Sequence, residues 1–282
     1  MHSRAFRRLP VSGTNGRILM KISTEHQPSR SKGDRILSLG REGGKYSVRL
    51  ARGERDVRAA QTLRFMVFNL EMNEGLEDSY KTFLDADQFD NICDHLLVED
   101  SQSGEVVGTY RLQTGLAARA NLGFYSQQEF DFSAFSEIEE SIVELGRACV
   151  RKEHRNLTVL GLLWQGIVKY AQSKGCRYLI GCSSISSQDT AEGMRLFELL
   201  RKDHLVSEPF QTSPNPGFEC LGEASSGTTL KLPKLLSAYL AVGAKICGKP
   251  AIDREFKTID FLTFMDLENL NIEVARRLGL KV

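Results

Sequence analysis

The sequence predicts a single α+β domain built on a mixed, mainly antiparallel sheet flanked by helices and preceded by a basic arm. Three observations carry this expectation. Segments that alternate with period two, one pair of them with a hairpin signal, interleave with segments of helical period. The composition, 41% hydrophobic and 26% charged, suits a globular core. Charge is divided unevenly: residues 1–50 hold eleven Lys and Arg against three acids, which leaves 26 basic against 33 acidic residues for the rest.

The arm, residues 1–45, is rich in Ser, Gly, Thr and basic side chains and shows no sustained apolar period, so it reads as flexible, with the folded domain over 46–282. No aromatic residue interleaves its basic ones after Phe6, so no nucleic-acid partner is expected. A peripheral membrane contact through this charge stays open. No apolar run approaches the roughly 20 residues of a membrane span, and the N-terminus lacks the apolar block of a secretory signal, so a cytoplasmic chain is expected. Six cysteines without a C-x-x-C pair fit that compartment and signal neither a disulfide framework nor a thiolate metal site.

From Tyr46 the pattern becomes regular. Tyr46 to Leu50 alternates as a strand, and Asp56 to Met72 places Val57, Ala60, Leu63, Val67 and Leu70 at helical spacing. Asn73 to Asn91, polar and acidic, reads as a loop. His95 to Glu99 and Glu105 to Gln113 form a hairpin around Ser101-Gln102-Ser103-Gly104. After a mixed segment, Ala117 to Glu140, a third strand covers Ile142 to Val150. Leu157 to Ser173 repeats as a helix stopped at Lys174-Gly175. Arg177 to Cys182 is a strand, and Asp189 to Lys202 a helix capped in the Ser186–Asp189 turn. Phe210 to Gly227 is loop, Pro233 to Ile246 helix, Thr258 to Met265 strand, and Asp266 caps a last helix through Leu278.

Common site signatures fail. Gly43-Gly44-Lys45 lacks the upstream glycine and following Ser or Thr of a phosphate loop, and no G-x-G-x-x-G occurs. Cys93-x-His95 has no second ligand pair at useful spacing, so no metal is expected. What remains is charge where charge is costly: Arg64 and Phe68 four apart on the first helix, Asp85, Asp87 and Asp90 in the loop after it, Arg111 mid-strand, and Glu144 with Arg147 in the third strand. Ionised groups in a sheet interior persist only when paired, so these residues predict a partly buried ion network lining a cleft.

The ordered series Arg64-x-x-x-Phe68, Asp87-x-x-Asp90, Arg111 and Glu144-x-x-Arg147 resembles the acyl-homoserine-lactone synthases and their relatives of the acetyltransferase (GNAT) fold. Within that group the chain most resembles the bacterial ornithine-lipid N-acyltransferases, through Phe89-Asp90-x-x-Cys93-Asp94-His95, Gly108-Thr109-Tyr110-Arg111-Leu112, Gly123-Phe124-Tyr125-Ser126, Glu144-Leu145-Gly146-Arg147, Leu162-Leu163-Trp164-x-Gly166 and Asp253-Arg254-x-Phe256-x-Thr258-x-Asp260. The resemblance spans about residues 50 to 265. It implies an acyl-carrier-protein-dependent N-acyltransferase that moves a 3-hydroxylated fatty acyl group from the carrier's phosphopantetheine to the α-amino group of ornithine or a related amino acid.

One departure from acetyl-coenzyme A enzymes bears on the donor. Arg155-Asn156-Leu157-Thr158-Val159-Leu160 has no glycine where a pyrophosphate needs close backbone approach, while Arg151, Lys152, His154 and Arg155 offer a basic edge to an acidic carrier. On this reading Glu144 is the base and backbone N–H groups near Cys149 and Val150 hold the oxyanion. Arg64, Asp87, Asp90, Arg111 and Arg147 order the loop and orient Glu144 or the acceptor's charges. Leu160, Leu163, Trp164 and Ile167 are candidates for the acyl tunnel. A lactone-forming synthase and a non-catalytic module binding a carrier protein or membrane surface are the alternatives.

Overall fold

The computed structural model describes residues 44–222 and 232–277. Apart from Gly44 and Lys45, the expected arm lies outside the described residues. The described strands are β1 (Tyr46–Leu50), β2 (Asp94–Asp100), β3 (Val106–Thr114), β4 (Ile142–Val150), β5 (Tyr178–Ile185), β6 (Lys245–Ile246), β7 (Ala251–Asp253) and β8 (Thr258–Asp266). They form one sheet in the order β1-β2-β3-β4-β5-β8-β6, with β7 also on β8.

Among the described strands only β4 and β5 run parallel, and they pair from Ile142↔Tyr178 to Glu144↔Ile180. On its other edge β4 stays with β3 as far as Gly108↔Val150. The sheet therefore opens on one side beyond Glu144. Gly181 stands at that opening, where an added Cβ would lie 2.2 Å from the Leu145 carbonyl oxygen. Any side chain there would force the strands apart before their last paired residue.

The hairpin lies where the alternation put it, because Asp100 accepts from Gln102 N at 2.8 Å and Gly104 supplies a φ of +71°. The first helix differs from expectation. α1 (Glu54–Arg64) gives way to a π-helix over Phe65–Glu71. The wider turn rotates the apolar stripe, so Phe65 and Phe68 are buried while Leu70, expected to face the core, is 61% exposed. The expected loop over 73–91 contains α2 (Ser79–Thr82) and a 3₁₀ turn, Gln88–Asn91, and α3 (Gly115–Ala120) follows β3.

α4 (Leu157–Ser173) packs Val159, Leu163, Trp164, Ile167 and Tyr170 onto Leu96, Val98, Tyr110 and Leu112 of the sheet. α5 (Thr190–His204) starts at Asp189, whose carboxylate accepts from Ala191 N at 3.0 Å. α6 (Lys234–Val242) stops at Gly243, φ +117°, so the helix expected through Ile246 ends early and Lys245–Ile246 pairs with β8 instead. Asp266 is also corrected. It ends β8, accepting from Arg177 and from Glu268 N, and the last helix, α7 (Ile272–Arg277), begins later. Among the described residues no helix is long and apolar enough to cross a membrane.

Candidate active site

The ion network expected from the sequence exists. Arg64, fully buried, donates from both Nη atoms to Asp90, at 2.9 and 2.6 Å, and its Nε lies 2.8 Å from Asp85. Arg111 donates from Nη1 to Asp87 at 2.6 Å and to Asp90 at 3.2 Å. Arg147 donates to Asp87 at 3.1 Å and lies 3.5 Å from Asp85. Three cations thus face three anions. Burial works against Asp87 and Asp90, but Arg111 and Arg147 hold Asp87 below the usual carboxylate range, and Arg64 and Arg111 do the same for Asp90. Burial keeps the adjoining His95 below its ordinary value while its Nε2 meets the Asp90 carbonyl oxygen at 3.0 Å.

Arg147 reaches this network through a backbone irregularity. Thr109 pairs with Cys149 but Arg111 with Gly146, so Arg147 and Ala148 together face Tyr110 in a β-bulge. Arg147 takes a φ of +49°, a left-handed conformation uncommon for a residue with a side chain. Its guanidinium then lies over the rings of Phe256 at 4.2 Å and Tyr125 at 5.0 Å.

Glu144 is 4% exposed and sits at the last β4–β5 pair. It is held by a segment the sequence did not assign to it. Tyr125 N donates at 2.7 Å, Ser126 N at 2.8 Å and Ser126 Oγ at 2.7 Å. The sequence expects Arg64, Asp87, Asp90, Arg111 and Arg147 to order the loop and to orient Glu144 or the acceptor's charges; of these, orienting Glu144 by contact is not seen, since Arg111 reaches it only through its field. Burial pushes Glu144 up, the Ser126 and Tyr125 donors pull against it, and the balance is a raised pKa.

Glu144, Arg111 and Arg147 line a cavity of about 930 Å³ that passes through the opening between β4 and β5. Towards α4 and α6 its wall is apolar, with Leu160, Leu163, Leu236 and Tyr239, while Val67 and Phe68 of the π-helix line it beside Phe256. Arg64, Asp87 and Asp90 stand behind the cavity rather than in its lining. Of the four expected tunnel residues, Leu160 and Leu163 reach the cavity. Trp164 and Ile167 do not: both are buried between α4 and the sheet, where Trp164 meets Tyr239 edge-on at 5.5 Å between ring centroids. The helical period marks an apolar stripe but not which half of it faces a void.

Cys149 and Val150 both line the cavity. Arg151 N donates to Val107 O at 2.9 Å on the β3 side, and the alternation of strand N–H groups therefore turns that of Val150 toward the opening and that of Cys149 back to β3. Burial pushes the Cys149 thiol far up, which leaves it inert. The expected basic edge is largely spent within the chain. Arg155 makes a bidentate pair with Glu71 at 2.6 and 2.7 Å, and Arg151 meets Glu105 at 2.9 Å and Glu153 at 3.4 Å. At the start of α4, Asn156 Oδ1 accepts from Thr158 N at 3.0 Å and Val159 N at 3.1 Å. An Asn side chain thus takes the donors a phosphate would need.

Sequence reasoning missed the polar end of the cavity. Glu74, Ser126, Cys182 and Asp260 line it, with Glu129 close behind. Gly123–Ser126 and Asp253–Asp260 carried a signal as motifs without roles; Glu129 carried none.

Residues 63–165 match the family model described as "Acetyltransferase (GNAT) domain". The chain is 33% identical over 258 residues to the L-ornithine N(alpha)-acyltransferase of Brucella abortus (strain 2308), covering 86% of this chain and 90% of that protein. It is 31% identical over 244 residues to the protein of the same name from Agrobacterium fabrum, covering 80% and 83%. Among solved structures, the AHL synthase LasI aligns over 84% of this chain and 97% of that one, at 12% identity and a TM-score of 0.47.

Proposed function

The chain belongs to the family of L-ornithine Nα-acyltransferases, and from that premise we propose that it moves a 3-hydroxylated fatty acyl group from acyl carrier protein to the α-amino group of ornithine, giving a lyso-aminolipid. The observation that carries this reading is the position of Glu144. It stands where β4 and β5 part, between an apolar cavity arm that suits an acyl chain and a polar end that suits an amino acid.

The chemistry follows from the groups present. An α-ammonium with a reference pKa near 8 is mostly protonated at neutral pH and must lose a proton before it attacks a thioester. Glu144, its pKa raised by burial yet still anchored by Tyr125 and Ser126, takes that proton directly or through water. As the nitrogen bonds to the carbonyl carbon, the Val150 N–H receives the oxyanion. Collapse breaks the carbon–sulfur bond, and the phosphopantetheine thiolate leaves and is protonated. Arg111 and Arg147, each with guanidinium nitrogens beyond those spent on the aspartates, pair with the acceptor's α-carboxylate. Leu160 and Leu163 contact the acyl chain.

The Asn156 cap and the absence of glycine before α4 support a carrier-bound donor over coenzyme A. Lys152 and Arg151 supply charge for the carrier, because the Glu105 and Glu153 partners of Arg151 are exposed and such pairs are exchanged at little cost. A bacterium expressing the chain should accumulate an Nα-acyl-ornithine detectable by mass spectrometry of its lipid extract, and the purified protein should release thiol from 3-hydroxyacyl carrier protein when ornithine is added. Thiol release that is indifferent to ornithine would refute the assignment.

A further inference from the structure

At the polar end of the cavity, acidic side chains converge without a basic partner. Asp260, 4% exposed, lines the cavity with an Oδ1 that has no hydrogen-bond partner, and Glu74, 6% exposed, lines it with an equally unpartnered Oε1. Glu129, 3% exposed, brings a carboxylate oxygen within 4.8 Å of Asp260 and of the Cys182 sulfur. Among the described residues none of these three carboxyl groups forms an ion pair within 4.0 Å. Arg147, whose field reaches Glu129, pairs with Asp85 and Asp87 and makes no ion pair with Glu129. Asp253, on the same wall, is occupied in its own turn, accepting from Glu255 N and Phe256 N at 2.8 Å each.

Buried carboxyl groups without a basic partner destabilise a fold; Thr258 Oγ1 donates to Asp260 Oδ2 at 3.3 Å, but among the described residues no cation pairs with Asp260 or Glu74, and both residues belong to the lining of a void large enough for a substrate. Burial, added to repulsion from Asp260 and Asp253, pushes Glu129 well above the usual range, and burial raises Glu74 and Asp260 as well. A ligand that brings positive charge relieves all three.

We propose that Asp260 and Glu74, with Glu129 behind Asp260, form the subsite for a second, side-chain ammonium on the acceptor amino acid. This rests on the reading of Glu144 as the place where the α-amine is acylated. A chain of short contacts links Glu144 to the acidic pocket. Glu144 Oε1 accepts from Ser126 Oγ at 2.7 Å, Ser126 Oγ accepts from Cys182 Sγ at 3.4 Å, and that sulfur lies 3.9 Å from Glu129 Oε2. An extended four-carbon spacing separates the two nitrogens of ornithine by ~6 Å at standard bond lengths, within the upper bound of about 10 Å that this chain of contacts sets on the separation of the Glu144 and Glu129 carboxylates. A neutral side chain of the same length leaves the pocket's carboxyl groups without a partner, so discrimination comes from an unmet charge rather than from shape.

The test compares ornithine with norvaline, which has one carbon chain of the same length and no side-chain amine, in the full-length protein with one carrier-bound donor. The parent should prefer ornithine in kcat/KM by about 100-fold or more, the range expected when a buried charge loses its partner. Asp260→Asn should cut that preference to about a tenth or less, chiefly through KM for ornithine, and Glu129→Gln should cut it by a smaller factor. If either variant does not fold, parent protein dialysed against EDTA supplies the decision. Preference that survives chelation supports the ammonium subsite, and preference that vanishes assigns the Glu129–Cys182–Asp260 group to a metal and overturns it. Variants that fold and keep the parent's ornithine preference also overturn it. Failure of the parent to acylate ornithine at all is a different result, and it refutes the underlying activity.

Discussion

Asp90→Ala tests the ion network most directly, because Asp90 is its most heavily used acceptor. Its two oxygens receive Arg64 twice, Arg111, Gln61 Nε2 at 3.0 Å and Asp87 N at 3.3 Å. Truncation leaves Arg64, fully buried, with Asp85 alone and turns a balanced set of three cations and three anions into one with an excess positive charge. Breaking a buried pair in this way costs about 3–5 kcal/mol. For a domain of this size each kcal/mol shifts Tm by about 2–4 °C, so thermal melts followed by circular dichroism should fall by about 10 °C. Since Arg64 and the other guanidinium groups hold Asp90 below its unfolded value near 4, its contribution is full above that pH and is lost as pH falls toward the folded value. The gap between parent and variant should therefore be constant from pH 5 to 8 and close below about pH 4. Adding Arg64→Met should restore part of the loss by removing the uncompensated charge. A variant that melts with the parent, or a double variant whose loss is the sum of the single losses, would refute the network as a coupled unit.

Glu144→Gln should keep the melting temperature near the parent's and lower turnover by about 10²–10⁴, as loss of a general base does, and near-parental rates would reassign the base. Because burial raises Glu144, the acid limb of the parent's kcat profile should lie above the ordinary carboxylate range; Ser126→Ala, which removes a donor that pulls Glu144 down, should move that limb further up, and an unmoved limb would show that another group sets it. Leu163→Trp should shorten the preferred acyl chain, while Trp164→Ala should leave chain-length preference alone and cost about 3–5 kcal/mol of stability, with the reverse pattern overturning the placement of cavity and core. Carrier-bound acyl groups should outperform acyl-coenzyme A of equal length in kcat/KM, by a factor that shrinks as salt screens charge over a Debye length of about 8 Å; equal use of both donors would leave the Asn156 cap without functional meaning.

The sequence by itself determined the longer strands and helices, β1 to β5, β8, α1, α4 and α5, because alternation and helical period report directly which side of an element meets apolar surroundings, while the short α2, α3, β6 and β7 have too few residues to show a period. It also determined that Arg64, Asp85, Asp87, Asp90, Arg111 and Arg147 belong together, since charge at positions whose neighbours are apolar survives only when paired. The tertiary structure alone decided what holds Glu144, because its donors, Tyr125 and Ser126, lie in a segment without a period and are delivered by a chain path rather than by a pattern. It decided that Arg147 faces the network through a bulge, that a π-helix turns Leu70 outward, and that Leu163 meets the cavity while Trp164 does not. The acidic pocket is the clearest case. Glu74, Glu129 and Asp260 lie in three separate stretches of chain, and nothing local tells a buried carboxylate from a solvated one until the fold brings Glu74 and Asp260 to one void with Glu129 behind Asp260.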